Sequence, residues 1–130
     1  MSRTDPPETT AAERAALHEL QLGGEHVQRA YGHLLAFHHQ VGRAMDRYAA
    51  AEPHLREAGY DPLADEIRDR HLPAGVVDDR WSYELVEAFE AGFLRDTTGF
   101  ERRVRDRLAE GVGHVAEREQ QREWRERAKR

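Results

Sequence analysis

Eight histidines in 130 residues are where chemistry could start in this chain. His26 and His33 stand seven apart, Glu110 and His114 four apart, and Glu117 follows three residues later. Residues three, four or seven apart share one face of a helix. Laid side by side, two such helices would direct His26, His33, Glu110 and His114 toward one place. Imidazoles and carboxylates converging from facing helices are how bundles hold iron, manganese or zinc, so this set is the candidate metal centre. The sequence lacks the denser spacings such bundles favour, Glu-x-x-His, His-x-x-x-His and His-Glu-x-x-His. The more ordinary role for these histidines is at the boundary of the core, each hydrogen-bonded to a neighbouring carboxylate.

A second concentration of reactive types lies between residues 71 and 83, where His71, Asp78, Asp79 and Trp81 accompany Pro73 and Gly75. A non-helical connection of this kind suits a small docking or ligand surface, since sites concentrate on connections. The competing reading makes Asp78 or Asp79 the cap of the following helix and Trp81 a lid on the core's end. Arg102, Arg103, Arg105 and Arg107 raise a third possibility, contact with nucleic acid. Their alternation with acids instead describes a helix laced with surface ion pairs, which argues against that partner. No nucleotide-binding glycine loop, serine triad or calcium loop occurs, and the absence of cysteine excludes thiolate chemistry, disulfides and cysteine-ligated metals.

What must position these residues is helical. From Leu17 to Leu55 the steps of three and four pick out Leu17, Leu20, Gly24, Val27, Tyr31, Leu34, His38, Val41, Met45, Tyr48, Glu52 and Leu55. Nine of the twelve are apolar or aromatic, the pattern of a long amphipathic helix. Ala30, Leu35, Phe37 and Ala44 widen the stripe beyond a two-stranded seam. His38 within it is expected to be a core histidine with a polar partner such as Thr97 or Thr98. Thr10 with Glu13 forms a capping box for the start, and Pro53 marks an end near Glu52, with one further turn carrying Leu55 before Gly59. Gly23-Gly24 costs about 2 kcal/mol of helix propensity. Because the heptad phase runs through unchanged, the helix is predicted to be continuous, with the glycines admitting a close backbone neighbour.

Asp61-Pro62 signals a short helix to about His71, with Leu63 and Ile67 inward. Val76-Val77 are expected to tuck under as a plug. A last helix is predicted from about Arg80 to near the C-terminus, with an eleven-residue period: Val86, Thr97 and Leu108; Phe89, Phe100 and Gly111; Phe93, Val104 and Val115. Thr97–Gly99 is a potential kink, and Thr98 with Glu101 a second capping box. Folding back near residue 68 would set Gly24 opposite Gly111–Gly113.

The expected fold is therefore all-α: a long antiparallel helical hairpin with a short bridging helix, paired as a homodimer into a four-helix bundle to cover its second face. Residues 1–9 read as a disordered lead-in, 10–116 as the helical-bundle domain and 117–130 as a charged helical extension. No stretch approaches the roughly 18 apolar residues of a membrane span, and no apolar segment opens the chain, so a cytoplasmic protein is expected. The functional expectation is a non-enzymatic interaction or structural protein that pairs with itself and offers a surface to a protein partner. A metal-binding bundle is the alternative.

Overall fold

The computed structural model describes residues 7–128, and over them the chain is all-α, with a single isolated β-bridge and no strand. Helix α1 spans Ala11–Glu57. It starts on the capping box expected: Glu13 N–H donates to Thr10 Oγ1 at 3.1 Å and Thr10 N–H to Glu13 Oε1 at 2.8 Å. The expected lead-in over residues 1–9 falls mostly outside the described residues.

Pro53 lies inside α1 and does not stop it. The stop comes at Gly59, at φ 92°, where Tyr60 N–H reaches back to the Leu55 carbonyl and Gly59 N–H to that of Arg56. These two bonds satisfy the last free carbonyls of the helix, and only a left-handed residue between them closes the motif. The helix is continuous through Gly23-Gly24. The close neighbour expected there is absent: a Cβ at either glycine would meet nothing within 4 Å.

Helix α2 (Asp61–Glu66) continues into a π-helical turn, Ile67–His71. Asp61 is not its cap; the flanking position belongs to Tyr60, whose carbonyl accepts from Leu63 and Ala64 N–H. Ile67 is buried as expected and Ala64 with it, whereas Leu63, expected inward, is 50% exposed. Arg56 near the end of α1 bonds Asp65 at 2.8 Å and Glu52 at 3.1 Å, and Arg68 pairs with Asp65 and Asp69. These pairs are solvent-exposed and fix the entry angle of α2 more than they add stability.

Between residues 72 and 81 the chain makes a tight reversal. Val77 and Arg80 are bridged, and Asp78 (φ 48°) and Asp79 (φ 64°) both occupy the left-handed region. Two consecutive positive φ angles between bridged residues describe a type I′ turn, which Asp tolerates better than most residues. Asp78 and Asp79 therefore build the turn and do not cap the next helix. Val77 is exposed and does not plug the core.

The last helix expected from the sequence is divided. α3 (Ser82–Phe89) starts from an extended Trp81, a π-helical turn (Glu90–Leu94) follows, and α4 (Arg95–Ala109) continues. Thr97 Oγ1 donates to the Phe93 carbonyl at 2.8 Å and also lies 3.2 Å from that of Leu94. Those carbonyls sit where the π-turn gives way to α-helix, so Thr97 supports the helix there. The helix runs straight through Thr97–Gly99, and no capping box forms at Thr98. The real break is at 110–114: Glu110 (φ 52°), Gly111 (φ 81°) and His114 (φ 56°) are left-handed, and α5 (Val115–Ala128) begins anew. Of the eleven-residue series, Val86, Thr97 and Leu108 are buried or half-buried, while Phe93 and Phe100 are exposed.

Two compact units result, one from the chain up to Arg29 with Gly92 onward, the other Ala30–Ala91. In the first, Leu17, Ala109 and Val115 form the core, with Val104 and Leu108 packed on it. In the second, Ala64, Ile67, Val86 and Ser82 are buried. There Tyr31 stacks on Phe89 at 6.2 Å and donates to Glu90 at 3.0 Å, His38 Nδ1 meets Ser82 Oγ at 2.7 Å, and Tyr48 lies beside His71. Partner numbers fall as those of α1 rise. No described helix is long and apolar enough to cross a membrane.

Candidate functional site

The twelve-residue seam lies inward almost as expected: Leu17 is buried, ten positions are half-buried, and Tyr48 alone is exposed. Beside that seam, and sharing Leu34, Val41 and Tyr48 with it, runs a second apolar row whose outer members are exposed. Ala30, Leu34, Phe37, Val41, Ala44, Tyr48 and Ala51 follow one another at steps of four and three. Leu34 and Val41 are half-buried beneath it, whereas Ala30, Phe37, Ala44 and Tyr48 face solvent, Phe37 at 41% and Tyr48 at 51% exposure. Every one of the seven positions is apolar or aromatic and none is charged. Seven consecutive a/d-type positions are the geometry that takes another helix knob-into-hole. The residues one step before Leu34, Phe37, Val41 and Tyr48 are His33, Ala36, Gln40 and Arg47, a sparsely charged margin.

Nothing in the second unit is large and fully buried, so this apolar row is not overflow from a filled core. Tyr83, 58% exposed, packs its ring 5.7 Å from that of His38. His38 itself has the polar partner expected of a seam histidine, although the partner is Ser82 and not Thr97 or Thr98. Ser82 is 3% exposed, and the bond gives its hydroxyl the partner that burial demands. A lone serine next to Trp81 carried no sequence signal for this role.

The residues singled out for metal do not form a donor set. His26 is exposed and its Nδ1 lies 3.5 Å from the Arg29 guanidinium, a cationic neighbour. His33 is exposed on α1, and Glu110 sits in the left-handed turn after α4. His114 Nδ1 meets Gln21 Nε2 at 2.9 Å, and that amide also reaches Glu117 at 3.5 Å. Among the described residues no three His, Asp or Glu side chains come together to hold a metal ion. In the connection, His71 Nε2 is 3.6 Å from Glu66, Asp78 and Asp79 form the turn, and Trp81 flanks α3 with 37% of its surface exposed. The basic run is partly engaged: Arg105 bonds both Glu101 oxygens at 3.2 Å, and Arg103 lies over the Phe100 ring at 5.7 Å. Comparison with known proteins found no matching family model, no matching curated protein and no matching solved structure.

Proposed function

We propose that this is a non-enzymatic helical protein that works by self-association, through the open seam of α1, as an antiparallel helical hairpin paired into a four-helix bundle. The observation that carries the reading is the uncharged row from Ala30 to Ala51, exposed at Ala30, Phe37, Ala44 and Tyr48. The row is also complementary to itself. Two copies of α1 crossing antiparallel about Val41 would set Phe37 of each beside Ala44 and Met45 of the other and Tyr48 against Leu34. Each such contact is repeated across the two-fold axis, as an isologous interface requires. The falling partner numbers along α1 support the hairpin, and the scarcity of buried large side chains supports a second copy as the missing half of the core.

Sedimentation equilibrium tests this. At roughly 100 μM, well above the concentration where a core-completing dimer should dissociate, the species should have twice the 15.0 kDa chain mass. Phe37→Glu should return it to chain mass, while Leu22→Glu, an exposed apolar position off the seam, should not. Wild-type protein that stays at chain mass would overturn the proposal.

A further inference from the structure

Along the edge of the open apolar row, α1 carries a repeat of another kind. His26, His33, Gln40, Arg47 and His54 stand seven apart and are all exposed. Steps of seven keep to one side of a helix. Three of the five are histidine, one is arginine and none is acidic. The stretch between Glu25 and Asp46 holds four histidines and two arginines and no carboxylate.

His33 has no acid beside it within its own chain. Arg29 is the only charged residue three or four positions from it on α1, and Arg43 the only one so placed from Arg47. The segment from Ser82 to Glu90 meets α1 at Tyr31, bonded to Glu90, and at His38, bonded to Ser82. Those positions lie roughly 160° and 140° round the helix from His33. The acids of that segment, Glu84, Glu87 and Glu90, therefore pack on the far side. Beyond Arg47, Tyr48 meets His71, which stands 3.6 Å from Glu66, and Asp65 pairs with Arg56 and Arg68.

Antiparallel pairing lays this edge along itself. With two copies of α1 crossing about Val41, Gln40 of one helix meets Gln40 of the other near the axis. His33 of each copy then comes beside Arg47 of the other. We propose that mild acid releases self-association through α1, with His33 against Arg47 as the switch. A neutral imidazole nitrogen can accept a hydrogen bond from a guanidinium. Protonated, it sets two cations side by side, twice in each dimer, whereas the separate chains carry no such contact. The dimer is therefore the form disfavoured as pH falls through the ordinary histidine range, near about 6.5. This inference rests on the self-association proposed above.

Sedimentation equilibrium in dilute salt, at about pH 7.5 and about pH 5.5, tests it. The dimer dissociation constant should rise roughly tenfold in acid, as two exposed like-charge contacts would give. Strong salt should shrink the rise, because it screens exposed charges. His33→Gln should dimerise almost equally at both values. Arg47→Glu should invert the dependence and pair more tightly in acid, since protonated His33 then faces a carboxylate. Circular dichroism should show the same helix content throughout. Wild-type protein at chain mass at the higher pH would overturn the self-association and the switch with it. The switch alone would fall if the wild-type dimer were equally strong at both values. It would also fall if His33→Gln or Arg47→Glu weakened in acid as the wild type does, or if acid removed the helix itself.

Discussion

Glycine carries opposite meanings at different places in this chain, and substitution separates them. At Gly75 (φ 77°) a Cβ would come within 2.7 Å of the Asp79 carbonyl carbon. Backbone cannot yield as a side-chain tip can, so Gly75→Ala should cost about 2 kcal/mol or more, read as a lowered denaturation midpoint. At Gly24, open and helical, Gly24→Ala should add about 1 kcal/mol by the same measurement. Asp79→Gly should stabilise by roughly 0.5–1 kcal/mol, because glycine adopts the second position of a type I′ turn without strain. Glu13 supplies a pH signature. Its hydrogen bonds with Thr10 hold the carboxyl below the ordinary value of 4.5. A depressed carboxyl stabilises the folded form above the ordinary value, and the contribution is lost as pH falls through the depressed one. The melting difference between wild type and Glu13→Gln should therefore be constant at neutral pH and shrink in acid below about 4.5.

At the scale of elements, α1 was legible because three signals agreed: a box at Thr10, an unbroken phase of threes and fours, and a glycine stop. Its stripe predicted the inward face at every position but Tyr48, and Phe37, Ala30 and Ala44 were already visible as an excess beyond one seam. The segment after Arg80 was less legible for a physical reason. A π-turn adds one residue to a turn without any composition of its own, so Glu90–Leu94 leaves no mark in the pattern. The break at 110–114 does carry a glycine, left-handed Gly111, but the sequence presents it as a packing glycine. It lies between Glu110 and His114, left-handed residues that announce a helix end far less clearly. Among the described residues the His and Glu candidates do not gather into a group of three; Gly24, expected opposite Gly111–Gly113, lies beside Thr97, Phe100 and His114. Ser82 is the element-level partner that pattern reading could not supply. Ser82→Ala would leave His38 Nδ1 without its bond and should cost about 1 kcal/mol, measured by urea denaturation.

For the molecule as a whole, the units share two elements: one boundary falls at Arg29 within α1 and the other at Ala91 within the π-helical turn Glu90–Leu94. A helix propagates cooperatively once nucleated. The two tryptophans divide between the units, Trp81 beside α3 in one and Trp124 on α5 in the other. The chain thus carries one optical reporter for each. Trp124→Phe and Trp81→Phe yield proteins whose fluorescence speaks for a single unit, and their thermal transitions should coincide if α1 melts as one piece. Two separated transitions would reveal a helix that can be lost at one end while kept at the other.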